Sequence, residues 1–345
     1  MKLPLGTSAG TLRSAALLLI DLETEEGVTG RSYLFCYLRA AAPAISAMLT
    51  EVERTAKGDR LVPADLWGKL ARRFKLIGVQ GIVRMAMSGF DVACWDALAV
   101  AADNPLVTLL GGQPCRVRAY NSNGLGLMAP EAAADEAEKL LEGGFRAVKL
   151  RLGYPTLAAD LAAVRAVRKR LPDGIELMVD FNQALSAAEA LERCRAIDSE
   201  GITWIEEPIR HDDFRSSAAL ARELTTPVQI GENFSLPEQM AEALEAKACD
   251  LVMPDLERIG GVTGWRRAAS LAAERKLPMS SHLFPETSAH LLAVTPTCHY
   301  LEYVDWANAI LAEPMKIVDG DAVIPDRPGS AMSWNEEAVK RYLIV

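Results

Sequence analysis

Apolar and polar positions change their period along the chain. Residues 15–22 and 28–37 alternate as strands do, on either side of the turn Glu25-Glu26-Gly27. Helical spacing takes over at 42–56, 64–74 and 81–101, where Val83, Met87, Phe90, Cys94 and Leu98 share one face. Asn104-Pro105 breaks that pattern, with Pro105 placed to open a short helix. Gly111-Gly112-Gln113-Pro114 reads as a loop and a domain boundary. Beyond it, eight short apolar runs follow, at 117–122, 146–152, 175–180, 203–208, 227–232, 251–255, 278–282 and 300–303. Helical patterns such as 130–142, 156–170, 185–199 and 262–275 separate them. Alternation of this length predicts parallel βα units, and eight units predict a closed barrel. A doubly wound open sheet competes, but no GxGxxG opens a helix after the first run.

In the second run Lys149 and Arg151 share one face, and Val148, Leu150 and Leu152 the other. Two neighbouring cations repel, so that face calls for an anionic partner. An edge strand with a solvated basic face fits the alternation equally well, and only the rest of the chain separates the two.

Composition narrows the class. The 345 residues are 50% apolar, enough for a large core in one large domain or a large and a small one. The net charge of -9 comes without a basic block, which argues against nucleic acid and leaves carboxylates available for a cation. Cys36, Cys94, Cys115, Cys194, Cys249 and Cys298 stand singly, as reduced thiols of a cytoplasmic protein do. The apolar run Ala15 to Ile20 is too short to span a membrane and leads into a hairpin turn, not a cleavage site.

In a closed barrel the active site lies at the C-terminal strand ends. Seven successive runs here end in titratable groups 20 to 31 residues apart: Lys149 with Arg151, Asp180, Glu206 with Glu207, Glu232, Asp255, His282 and Glu302. Asp180, Glu206 and Glu232 close consecutive runs. Three converging carboxylates cannot all ionise without a cation, and hard oxygen ligands with open positions suit Mg²⁺. One such acid more often caps a helix, and Glu232 alone could do so; three in succession argue for a metal. A cation held there can take a substrate carboxylate and stabilise the charge formed when the adjacent proton leaves. Lys149 and His282 would face that carbon from opposite sides, with Asp255 fixing the His282 tautomer and raising its basicity. A satisfied core histidine is the plain alternative. Glu302 would donate to a substrate oxygen if its pKa is raised; otherwise it is a surface acid. A metal-independent Schiff-base barrel on Lys149 is a different class, against which the carboxylate triplet argues.

Val179-Asp180-Phe181-Asn182-Gln183, Trp204-Ile205-Glu206-Glu207-Pro208 and Gly231-Glu232-Asn233 resemble the metal-ligand segments of the enolase superfamily. Met253-Pro254-Asp255, the run Ile259 to Trp265 and Ser280-Ser281-His282-Leu283-Phe284 resemble its mandelate racemase subgroup, and the likeness extends from about Ser8 to the C-terminus. The resemblance implies an α/β fold: a modified (β/α)7β TIM-type barrel over 115–310, an α+β capping domain over 1–114, and a C-terminal segment, 311–345, packing back on the cap. It implies one Mg²⁺ per subunit on Asp180, Glu206 and Glu232, an Asp255–His282 dyad, and Glu302 as the acid on the substrate carboxylate. Lys149 matches the first lysine of a KxK motif, which assists carboxylate binding. Ser122 and Asn182 match polar residues that touch substrate or support the second base, and Phe35 and Tyr37 match aromatics at the substrate's apolar end. A small-molecule carboxylate substrate and a homo-oligomer, often an octamer, are also implied. In two places the chain departs from the pattern. Arg151 replaces the second lysine of the motif, and the strand that usually precedes the segment Lys2 to Gly10 is missing, which leaves the capping sheet short of an edge and the lid in doubt.

A racemase needs a base on each face of its substrate, and arginine, with a pKa above about 12, is a poor one. Three readings stay open: Arg151 is a base and the protein racemises a 2-hydroxy acid; Arg151 is an anchor and His282 alone serves an acid-sugar dehydratase; or turnover is lost and the protein binds carboxylates through its metal. Overall likeness points to the first. Phe35, Tyr37, Met85, Met87 and Val304 would suit an apolar substrate end, although core packing accounts for the two methionines. Asn121, Asn123 and Arg258 would suit a sugar acid.

Overall fold

The computed structural model describes residues 1–344. Parallel strands Arg116–Asn121, Ala147–Arg151, Glu176–Asp180, Ile205–Glu206, Val228–Ile230 and Leu251–Val252 pair in sequence order, and Leu301–Tyr303 returns to pair with the first. Between the sixth and last of these, bridges from Met279 to Val252 and to Cys298 close the barrel. The seventh run, expected as a strand over 278–282, is therefore only a bridge. Its backbone partners are partly replaced by a side chain, since the Glu302 amide donates to Ser281 Oγ. The fourth strand is also shorter than its run, because Pro208 has no N–H and Glu207 takes a left-handed φ of 34°.

The period of two explains where the chemistry lies. Val148, Leu150 and Leu152 face outward into the main core under the helices. The alternate residues face inward and form two layers. Tyr120, Ala147, Met178, Trp204, Leu251 and Tyr300 make an apolar floor. Two residues further along the same strands stand Ser122, Lys149, Asp180, Glu206 and Glu302. Register does the rest: Arg151 lies beside Asp180 and Asp180 beside Glu206, and an isolated bridge sets Asp255 beside His282.

The cap consists of the antiparallel pair Leu17–Glu23 and Thr29–Phe35 with helices Ala41–Ala56, Pro63–Arg73 and Gly81–Ala101. The last helix packs against its strand so closely that a Cβ at Gly30 would overlap the Ala93 carbonyl. Asp91 on this helix accepts from Thr263 N and Oγ1, tying cap to barrel. The tail returns twice. Its hairpin Lys316–Val318 and Asp321–Val323 extends the sheet beside Arg116–Arg118, and further on Ser330 bonds Asp96 and Trp334 bonds Asp21. Among the described residues no helix is long and apolar enough to cross a membrane, and all six cysteines are free.

His290, on helix Pro285–Leu292, joins barrel to cap by accepting from the Val107 amide at 3.1 Å, while its buried Nε2 has no partner. Burial pushes its pKa down to about 4. The unfolded chain therefore binds a proton near pH 6.5 that the folded chain refuses until about 4. The resulting stability is fully present above pH 6.5 and falls as pH drops through that window, by about 3 kcal/mol in all. His290→Gln should flatten that part of the denaturation-midpoint profile between pH 7 and 4; an unchanged slope would contradict the assignment.

Candidate active site

Asp180, Glu206 and Glu232 each offer a carboxylate oxygen, all within 4.8 Å of one another. Asp180 and Glu206 are fully buried, and the third is held in place by Asn233 Nδ2 at 3.1 Å and by Arg258, which donates to its backbone carbonyl at 3.0 Å. Three hard oxygens converging on one point fit a hard divalent cation. Neighbours fix their orientation: Asn182 N and Nδ2 donate to Asp180, while Trp204 Nε1 and Gln229 Nε2 donate to Glu206.

Lys149 is the counter-charge. Its Nζ lies 2.7 Å from Glu206, 2.9 Å from Glu302 and 3.4 Å from Asp180, with the side chain 1% exposed. Burial alone would lower its pKa; the three carboxylates win and hold it well above the ordinary lysine value. Even so, burial pushes Glu206 up to about 8, against Lys149 and with help from Asp180. The solvated basic strand considered from sequence is excluded.

On the opposite side, His282 Nδ1 meets Asp255 Oδ2 at 2.6 Å, and Nε2 faces Glu232 at 3.2 Å and Glu302 at 3.8 Å. Burial opposes the imidazolium, but Glu232, Glu302 and the Asp255 bond outweigh it and raise the His282 pKa. Asp255 Oδ1 meanwhile accepts from the amides of Glu257 and Arg258, so the carboxylate cannot swing. Glu302 departs from expectation. A raised pKa was required of it; burial does act upward, but Lys149, His282 and the Leu283 amide hold it well below the usual carboxylate range. In this array it is an acceptor, bonded also by Ser122 Oγ at 2.7 Å.

Arg151 is buried but forms no ion pair within 4.0 Å among the described residues. Nη1 donates to the carbonyls of Ser122 at 2.9 Å and Gly124 at 3.1 Å, and Nη2 to Ser122 Oγ at 2.8 Å. It braces the loop after the first barrel strand. That loop also bonds Tyr154 through Met128, and the Leu127 amide donates to Gly6 in the hairpin Leu5–Thr7 and Gly10–Leu12. The N-terminal hairpin thus lies against the loop after the first barrel strand.

Phe35 and Tyr37 stack at 4.4 Å, with Trp306 at 5.1 Å from Phe35. Met87 and Val304 are core residues, and Met85 packs on the cap core, as plain core packing would have it. Sequence reasoning gave no role to Gln229, Asn233 or Glu257. Glu257 is buried and accepts from the Phe35 amide, and its place two residues after Asp255 is the one signal that could have found it.

Residues 1–111 match the family model for the mandelate racemase / muconate lactonizing enzyme N-terminal domain, and 132–338 match that for the enolase C-terminal domain-like fold. The chain is 32% identical to a 3,6-anhydro-alpha-L-galactonate cycloisomerase of Streptomyces coelicolor, over 97% of this chain and 93% of that one. It is 30% identical to an L-talarate/galactarate dehydratase of Salmonella typhimurium, over 95% and 82%. A solved enolase from Bradyrhizobium, complexed with magnesium and mandelic acid, superposes with a TM-score of 0.96 at 42% identity, covering 100% of this chain and 95% of that one.

Removing Lys149 leaves buried carboxylates facing one another. Lys149→Met should cost the metal-free protein about 3 kcal/mol, read from the denaturant midpoint, and excess MgCl₂ should narrow the gap. A midpoint equal to wild type without metal would contradict this reading.

Proposed function

The chain belongs to the mandelate racemase/muconate lactonizing enzyme family of the enolase superfamily, and we propose that it removes the proton α to a 2-hydroxy carboxylate with His282 as its sole base. Asp180, Glu206 and Glu232 would hold Mg²⁺. Bound there, the ion supplies the Lewis acidity that offsets negative charge gathering on the substrate carboxylate. Lys149 adds a fixed positive charge beside the same carboxylate. Asp255 holds the proton on Nδ1 and leaves Nε2 to take one from carbon. An arriving substrate carboxylate repels Glu302 and pushes its pKa up, so that Glu302 can share a proton with the developing oxyanion.

The bonding of Arg151 carries this reading. Its guanidinium is committed to two carbonyls and a hydroxyl, and it supports Ser122 and through it Glu302; arginine is in any case a poor proton acceptor. With a base on one face only, the reaction that completes is elimination. His282 takes the C2 proton, the C2–H electrons form the enolic double bond, and the protonated imidazole returns the proton to a departing 3-hydroxyl. Water leaves, and the enol tautomerises to a 2-keto-3-deoxy acid. An acid-sugar dehydratase is thus the favoured activity, in keeping with the dehydratase among its relatives. A second reading, racemisation of an aryl 2-hydroxy acid, draws on the Phe35–Tyr37–Trp306 wall and on mandelic acid in a structural neighbour, but it requires Arg151 to release a proton. We place the protein in the cytoplasm as a symmetric homo-oligomer, for which Leu76 and Ile77, 98% and 67% exposed, supply an apolar contact.

In D₂O with Mg²⁺ and a panel of sugar acids, ¹H NMR should report loss of the C2 proton and a 2-keto-3-deoxy product. His282→Asn should reduce exchange by about 10³-fold, whereas Arg151→Lys should open exchange on the epimer that the wild type leaves untouched. Exchange that survives His282→Asn and vanishes with Arg151→Met would reverse the assignment.

A further inference from the structure

Glu207 stands next to a metal-site carboxylate, yet the proposed chemistry gives it no part. It follows Glu206 at the end of the fourth run, is 1% exposed, and has no cation within 4.0 Å among the described residues. A buried carboxyl group is costly unless its oxygens are bonded. Both are, and by one atom: Asn233 Nδ2, at 3.0 Å from Oε1 and 2.8 Å from Oε2. The backbone is fixed on both sides. The Glu207 amide donates to the Gln229 carbonyl at 3.1 Å, and its own carbonyl accepts from the Gln183 amide at 2.8 Å. Glu207 keeps a left-handed φ of 34°, which a non-glycine residue retains only where its surroundings over-determine it.

Asn233 is where Glu207 meets the metal triad. Its Nδ2 also donates to Glu232 Oε1 at 3.1 Å, and its Oδ1 accepts from Arg258. A guanidinium only donates, so Arg258 sets which way round the amide lies. The two hydrogens on Nδ2 are then divided between Glu207 and Glu232. Glu232 needs that hold. It is the least buried of the three carboxylates, and its other oxygen, Oε2, lies 3.2 Å from His282 Nε2. The base therefore competes with the metal site for it. Without an acceptor at position 207, one Nδ2 hydrogen is buried and unpaired, a cost the amide escapes by turning. Glu232 then loses its fixed donor.

We propose that Glu207 is a positioning residue for the metal site: through Asn233 it holds Glu232 toward Asp180 and Glu206 against the pull of His282. The inference rests on the reading that these three carboxylates bind Mg²⁺.

Calorimetric titration of the chelator-treated protein with MgCl₂ tests it without turnover. Glu207→Leu should weaken Mg²⁺ binding by about tenfold, as loss of a partner behind a metal ligand does. Glu207→Gln should recover most of that loss, because its Oε1 can still accept from Asn233. In an Asn233→Leu background, Glu207→Leu should cost nothing further. Should Glu207→Leu fail to fold, Glu207→Ala takes its place in both comparisons. A merely structural role would lower the denaturant midpoint and leave Mg²⁺ affinity unchanged. An effect of charge alone would weaken Glu207→Gln as much as Glu207→Leu and would persist without Asn233. Either result would overturn the positioning role and leave the metal site standing, whereas a wild type that binds no Mg²⁺ would overturn both.

Discussion

Charge crowding at one end of the barrel governs this structure. Asp180, Glu206, Glu232, Glu302 and Asp255 converge on a space closed below by Trp204, Tyr120 and Tyr300. Water cannot screen them there, so fixed cations and donors must. Lys149 touches three of the five, and His282 lies near three. Even with Arg258 beside Glu232, these positive groups are fewer than the five carboxylates and leave a deficit that a divalent cation fits. The same deficit explains the surrounding amides and indole, which hold each carboxylate in one orientation.

Much of this was legible because a β-strand has a strict period. Alternation in Ala147 to Gly153 put Lys149 and Arg151 on one face, and the repeat length put one titratable residue at each strand end. The triad, the dyad and Lys149 followed from that regularity. What a period cannot convey is where a flexible side chain ends. Arg151 shares a face with Lys149, yet its guanidinium turns to Ser122 and Gly124 and away from the carboxylates. The protonation of Glu302 was likewise hidden, because it depends on Lys149 and the Leu283 amide from two other strands. The seventh strand reads as a strand in sequence and forms only bridges, since the Ser281 hydroxyl replaces a backbone partner.

The Arg151 geometry also divides labour in a way the KxK pattern does not. A lysine at that position would present a titratable amine to the substrate. A guanidinium is a permanent cation with five donors, better suited to bracing backbone than to proton transfer. Here it links the first-strand loop, Ser122 and Glu302 into one unit, and that loop touches the N-terminal hairpin. Under the proposed reading, arginine here gives up a second base for rigidity in the wall of the site and leaves the proton transfer to His282.

The central claim is that only one face of the substrate meets a base. It is tested most directly by incubating the wild-type protein with Mg²⁺ in D₂O and each of two acids epimeric at C2, followed by ¹H NMR. The account predicts C2 exchange or water loss in one epimer only, with no interconversion. Exchange in both, with each converting to the other, would contradict it and make Arg151 a working base.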